Sequence, residues 1–183
     1  MAKEADMILS EFILLGIGGK ELSEENAAQT AKALNIIQPD FIRVHATGIE
    51  PESKLGEFVR NGSFALQSEE EIVVEQKLFL QQLHEMDSYY VNEHIVNLLL
   101  EVRGNLRTEK QEMLSTIDRF LTLPPDERLL FTVGRRLNIF FRLDDLKKPK
   151  LHQKAGESLQ QILSKNPHVD FAALCNYVRQ SQI

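Results

Sequence analysis

The chain has 183 residues, 43% of them hydrophobic and 26% charged, which places it among ordinary globular sequences and argues against disorder. Its 21 basic and 27 acidic residues give a net charge of −6, which argues against a surface built to bind nucleic acid. No run approaches the ~20 apolar residues of a membrane span. The acidic start Met1-Ala2-Lys3-Glu4-Ala5-Asp6 does not resemble a secretory signal, so a cytoplasmic chain without nucleic-acid or membrane partners is expected. The single Cys175 excludes an internal disulfide, or a thiolate-held metal site built by this chain alone.

Glu11-Phe12-Ile13-Leu14-Leu15 is a short apolar run ending in Gly16-Ile17-Gly18-Gly19 and predicts a buried strand. Ser23 offers an N-cap, with Glu24 and Glu25 in the first turn. Ala27, Ala28, Ala31, Leu34 and Ile37 then recur at helical spacing until Pro39. Phe41-Ile42-Arg43-Val44-His45-Ala46-Thr47 predicts a second strand, closed by Gly48 and Pro51. Strand, helix and strand in succession form a βαβ unit with parallel strands. Alternation along the second strand sends Ile42, Val44 and Ala46 to the helices, and Arg43, His45 and Thr47 to the opposite face.

The remainder reads as helical. Ser68 with Glu71 is a capping box, and Thr108 with Gln111 a second one. Glu69-Glu70-Glu71 reads as a helix N-terminus and not as paired catalytic carboxylates. Pro124-Pro125 ends one helix and starts another. Leu129 to Leu143 is apolar but broken by Gly134, so one helix or two is open. Lys147-Lys148-Pro149-Lys150 reads as a basic linker, followed by an amphipathic stretch to Leu163, a stop at Asn166-Pro167 and a last helix capped by Asp170. The expected segments are 1–66, 67–123 and 124–183.

A sheet of two parallel strands is not viable alone. Either further strands lie in the second half, with Tyr89-Tyr90-Val91 and Ile95-Val96-Asn97-Leu98-Leu99-Leu100 the candidates, or strands come from elsewhere. Lys3-Glu4-Ala5-Asp6 resembles the tail of a helix feeding a strand, with a frayed arm as the alternative.

The glycine turn fits neither standard phosphate loop. Gly16-Ile17-Gly18 is followed by Glu21 where a dinucleotide fingerprint needs a third glycine, and Gly19-Lys20-Glu21 lacks the Walker hydroxyl. Two readings stay open there: a loop that lets backbone approach a flat ligand, and a tight turn without one. Arg43 and His45 at the end of the second strand suit an anionic or carbonyl-bearing substrate, with solvated polar residues as the alternative. The histidines form no metal-ligand spacing, no G-x-S-x-G elbow occurs, and Cys175 lies on an apolar helical face that suits a buried thiol.

Leu14-Leu15-Gly16-Ile17-Gly18-Gly19-Lys20-Glu21-Leu22-Ser23, Pro39-Asp40-Phe41-Ile42-Arg43 and Pro51-Glu52-Ser53-Lys54-Leu55 resemble the later strands of radical S-adenosylmethionine enzymes. The likeness is to the oxygen-independent coproporphyrinogen oxidase-like members. Glu93-His94-Ile95-Val96-Asn97 and Gly104-Asn105-Leu106 resemble the segment that follows the core in those proteins. The resemblance covers residues 3 to 120. It implies an α/β fold: the last strands of an incomplete (βα) barrel, followed by a mostly helical C-terminal region.

The resemblance places Leu14, Gly16, Ile17, Gly18, Gly19, Glu21 and Pro51 on the S-adenosylmethionine side, and Arg43, His45 and Thr47 on the substrate side. The motif's terminal acid position is Gly19 here, with Glu21 two residues later, and the loop after the next strand keeps Pro51 and Leu55 but lacks the family's glycine. The family's C-x3-C-x2-C, which holds a [4Fe-4S] cluster, is absent from this sequence. The cluster is therefore expected only with an N-terminal barrel half, or with a second chain that supplies those cysteines. Self-association through an exposed strand edge is also expected. The alternative is a non-catalytic helical protein-interaction module that keeps a relic βαβ unit.

Overall fold

The computed structural model describes residues 5–182, so Lys3 and Glu4 of the helix tail expected at the start lie outside the described residues. Strand β1 (Ser10–Leu15), helix α1 (Ser23–Ile37) and strand β2 (Phe41–Ala46) form the expected βαβ unit. The strands pair in parallel, from Ser10 opposite Phe41 to Leu15 opposite Ala46. Ile13, Leu15, Ile42, Val44 and Ala46 are buried, as the alternation requires. Ser23 is the first helical residue and not the cap; its hydroxyl donates instead to Glu75 Oε2 at 3.0 Å. At the other end Gln38 turns left-handed at φ 49° and donates its N–H to Leu34 O, just before Pro39.

The sheet then gains β3 (Tyr89–Val91), parallel to β2, and β4 (Gly104–Asn105), antiparallel to β3. Its order is β1-β2-β3-β4, which leaves β1 at one edge among the described residues. On one face Ala27, Ala31 and Leu34 of α1 meet Ile72, Val73, Phe79 and Leu80 of α3 (Glu69–Gln82) in a single core. Phe79 and Leu80 are fully buried, and each burial contributes roughly 1.5–3 kcal/mol.

Tyr89-Tyr90-Val91 is a strand as expected, but Ile95 to Leu100 is not. That run buries Val96, Leu98 and Leu99 as a loop, and its carbonyls take side-chain donors in place of a neighbouring strand. Arg135 donates to the carbonyls of Ile95, Asn97 and Leu98, and Arg136 Nη2 to Val96 O at 2.8 Å. Where β3 stops, the Asn97 side chain stands in for the missing strand: its Oδ1 accepts from Ala46 N at 2.6 Å and its Nδ2 donates to Val44 O at 2.7 Å.

The helical remainder keeps most of its expected punctuation. Helix α2 (Lys54–Arg60) is capped by Ser53, and α3 opens on the Ser68–Glu71 capping box. Helix α4 (Leu106–Leu121) begins earlier than expected, because Asn105 accepts from the amides of Arg107 and Thr108. Thr108 and Gln111 are therefore interior residues and not a cap. Helix α5 (Pro125–Arg136) runs through Gly134 unbroken. The glycine is needed because a Cβ there would lie 2.4 Å from the Phe140 ring as the chain returns. The expected basic linker is instead the end of a 3-10 turn (Leu143–Lys147) and the start of α6 (Pro149–Lys165). Helix α7 (Phe171–Gln180) carries its expected Asp170 cap.

Candidate functional site

The parallel ladder brings two loops together at the carboxyl ends of β1 and β2, where sites form in α/β folds. In the first, Gly16 and Gly19 adopt φ of 86° and 61°, in the left-handed region that favours glycine. A Cβ on Gly19 would lie 2.9 Å from Ala65 O, and one on Gly16 3.2 Å from Gln67 Oε1. The glycines thus serve a tight turn packed on residues 64–67. Beneath them Glu75 is wholly buried, its Oε1 accepting from Gly16 N at 3.2 Å and from Asn26 Nδ2 at 2.7 Å. Ile17 and Glu21 project from the loop as exposed residues.

The second loop starts at Thr47, whose hydroxyl and amide both donate to Leu15 O at 2.8 Å. Thr47 is buried, so it fixes the spacing of the two loops and presents no free hydroxyl. Pro51 is exposed on the turn leading to α2, where its carbonyl accepts from Arg60 Nη1.

The sheet face away from the α1–α3 core is open. Phe12 is 66% and Leu14 46% exposed, and the register sets them beside Arg43 and His45. Arg43 Nε donates to Ser10 Oγ at 3.0 Å, with its guanidinium carbon 6.0 Å from the centre of the Phe12 ring. His45 meets Phe12 edge-on at 5.5 Å and stacks on His94 at 4.3 Å. Burial, then His94, then Arg43 hold the His45 imidazole below its ordinary value. Phe12, Arg43, His45 and His94 line a cavity of about 310 Å³ together with Val44, Val91 and Glu93.

Of the residues expected at the site, Leu14, Arg43 and His45 share this face, and the glycines adjoin it. His94 was not expected there, because stacking across a loop leaves no sequence period. Glu69 is a first-turn acid of α3, yet it is buried between Arg136 Nη2 at 2.6 Å and Arg179 Nη1 at 3.0 Å. Burial and the adjacent Arg136 pull Arg135 down to about 10, so it stays cationic at neutral pH.

The residues present do not fit an iron–sulfur cluster. Cys175 is the chain's one thiol, it is buried, and desolvation pushes it up to about 12. No group of three metal-ligating side chains occurs among the described residues, and no helix there is long and apolar enough to cross a membrane. Leu14 and Ile17 are exposed apolar side chains beside the glycine turn.

Fold and site define a mixed α/β protein, a four-stranded sheet with seven α-helices among the described residues, open on one face beside two adjacent strand-end loops. No protein-family model, no curated protein and no solved structure matches the chain. Assignment beyond that class rests on the residues themselves.

Proposed function

We propose that the chain is the C-terminal part of a radical S-adenosylmethionine enzyme similar to the oxygen-independent coproporphyrinogen oxidase-like members. In this reading β1 and β2 are late strands of an incomplete (βα) barrel, and the open face is one wall of the cofactor and substrate cleft. The observation that carries it is the uncovered face: Phe12 and Leu14 lie exposed beside Arg43 and His45, directly below the glycine loop. An apolar face of this kind needs a cover, and the edge of β1, along which no strand pairs among the described residues, is where the rest of the barrel, or a second chain, would join. Leu14, Ile17, the Gly16–Gly19 backbone and Pro51 would hold the adenosine end of the cofactor, with Glu21 at the rim. Arg43 and His45 would meet substrate. The cluster cysteines come from outside this sequence, so the chain alone performs no radical chemistry.

Titration calorimetry with S-adenosylmethionine tests the reading. Binding with a Kd of about 1 mM or tighter is expected, since only part of the site is present. No heat of binding at that concentration overturns it. The second reading, a helical interaction module with a relic βαβ unit, is favoured by one observation. Each left-handed glycine of the loop is accounted for by packing on Phe64, Ala65 and Gln67, without a ligand. That reading expects no binding in the same titration.

A further inference from the structure

We propose that Arg43, His45 and His94 form an oxyanion-recognition site on the open sheet face, taking a carboxylate or phosphate carried by a flat apolar body. The proposal rests on reading this face as a substrate wall, and it adds the ligand class and a residue from a separate loop.

Sequence and fold fix the three groups independently. Arg43 and His45 are two positions apart on β2 and so share a face. His94 follows β3 and enters the irregular segment whose backbone is clamped by Arg135 and Arg136. Its Nδ1 accepts from Val96 N at 3.4 Å, which leaves Nε2 to carry the proton and act as a donor. The two imidazoles stack at 26°, so their in-plane lone pairs do not converge on one point, which disfavours a shared metal ion.

The charges around the cavity select for an anion. His45 faces Arg43 from its own strand, His94 and Glu93 from the loop, and Phe12 from β1. Glu93 is the one carboxylate of that lining, and Arg103 Nη1 already pairs with it. Arg43 keeps a fork of donors beyond the Nε that binds Ser10, the geometry that suits carboxylate and phosphate. Phe12 and Val91 supply an apolar surface on which a flat body can lie.

Proton linkage gives the site a signature. Burial, the stacked His94 and the Arg43 guanidinium make the His45 ring resist protonation, and an oxyanion placed beside it removes that penalty. Binding then takes up a proton, and affinity rises as pH falls.

The test is titration of the purified chain with benzoate, phenyl phosphate and benzyl alcohol at pH 6 and pH 8. The readout is the histidine ring protons and the amide shifts of residues 43–45 and 91–94. Either anion, or both, is expected to shift both rings and to bind at least about threefold tighter at the lower pH. The alcohol is expected to bind more weakly than the anions. Arg43→Gln should weaken anion binding about tenfold or more, and Arg43→Lys should recover part of it. His94→Gln should flatten the pH dependence while the melting temperature stays unchanged. Equal binding of alcohol and anion, no ring shifts with either anion, or anion affinity indifferent to Arg43→Gln overturns the proposal. Failure here with S-adenosylmethionine still bound at the glycine loop removes this site alone. Anion binding without S-adenosylmethionine binding removes the cofactor reading and leaves this site standing.

Discussion

Replacing Asn97 with leucine removes the side chain that completes the sheet while roughly keeping its volume. In the native protein Asn97 Oδ1 accepts from Ala46 N at 2.6 Å, and Nδ2 donates to Val44 O at 2.7 Å and to Asn92 Oδ1 at 2.5 Å. The substitution strips a buried backbone amide and a buried backbone carbonyl of their partners, at about 1–3 kcal/mol each. Asn92 keeps its own donation to Leu99 O at 2.6 Å and shares the loss less. The expected destabilisation is therefore about 2–6 kcal/mol, read as a lowered urea midpoint with unchanged m-value. Amide exchange adds a local reading, because Ala46 N–H should lose its protection before the rest of β2. Asn97→Asp keeps the acceptor for Ala46 but faces Val44 O with a carboxylate, and should fall between wild type and Asn97→Leu. A loss below about 1 kcal/mol with Ala46 still protected would refute the claim that this side chain replaces a strand.

Glu69→Gln leaves the Arg136 and Arg179 guanidiniums buried without their counter-charge, and should cost about 3–5 kcal/mol, or about 6–20 °C in Tm by calorimetry. A shift under about 2 °C would mean that the pair is solvated. The His45 imidazole is held below its ordinary value of 6.5, so the unfolded chain binds that proton more readily. Its contribution to stability is full above about 6.5 and falls as pH drops through the lowered value, and a His45→Gln variant should lose that part of the pH dependence in denaturant titrations. Anaerobic iron–sulfur reconstitution of the purified chain should leave no stable cluster, since its one thiol is buried; a stable cluster with cofactor cleavage would contradict the account.

The βαβ unit was legible because its signals are local: an apolar run, glycines that need left-handed φ, helical spacing and Pro39. The Ser68 and Asp170 caps were legible for the same reason. The Ile95–Leu100 run was not, since a buried strand and a buried loop need the same apolar residues. What decides between them is the partner that takes the carbonyls, and Arg136 lies 40 residues from Val96. Thr108 and Gln111 carry the letters of a capping box, but Asn105 stands one turn earlier and wins the free amides. At the site, strand alternation alone placed Arg43 and His45 on one face. His94, Glu69 and Glu75 act through contacts far apart in sequence, so a lone histidine and two helix acids looked ordinary.

The central claim is that the glycine turn and the loop after β2 are the adenosine side of a cofactor cleft. Amide-shift mapping of the labelled chain during titration with S-adenosylmethionine tests it most directly. The account predicts saturable shifts confined to residues 14–21 and 47–53. Shifts that are absent, or that fall on α5, α6 and α7, would contradict it.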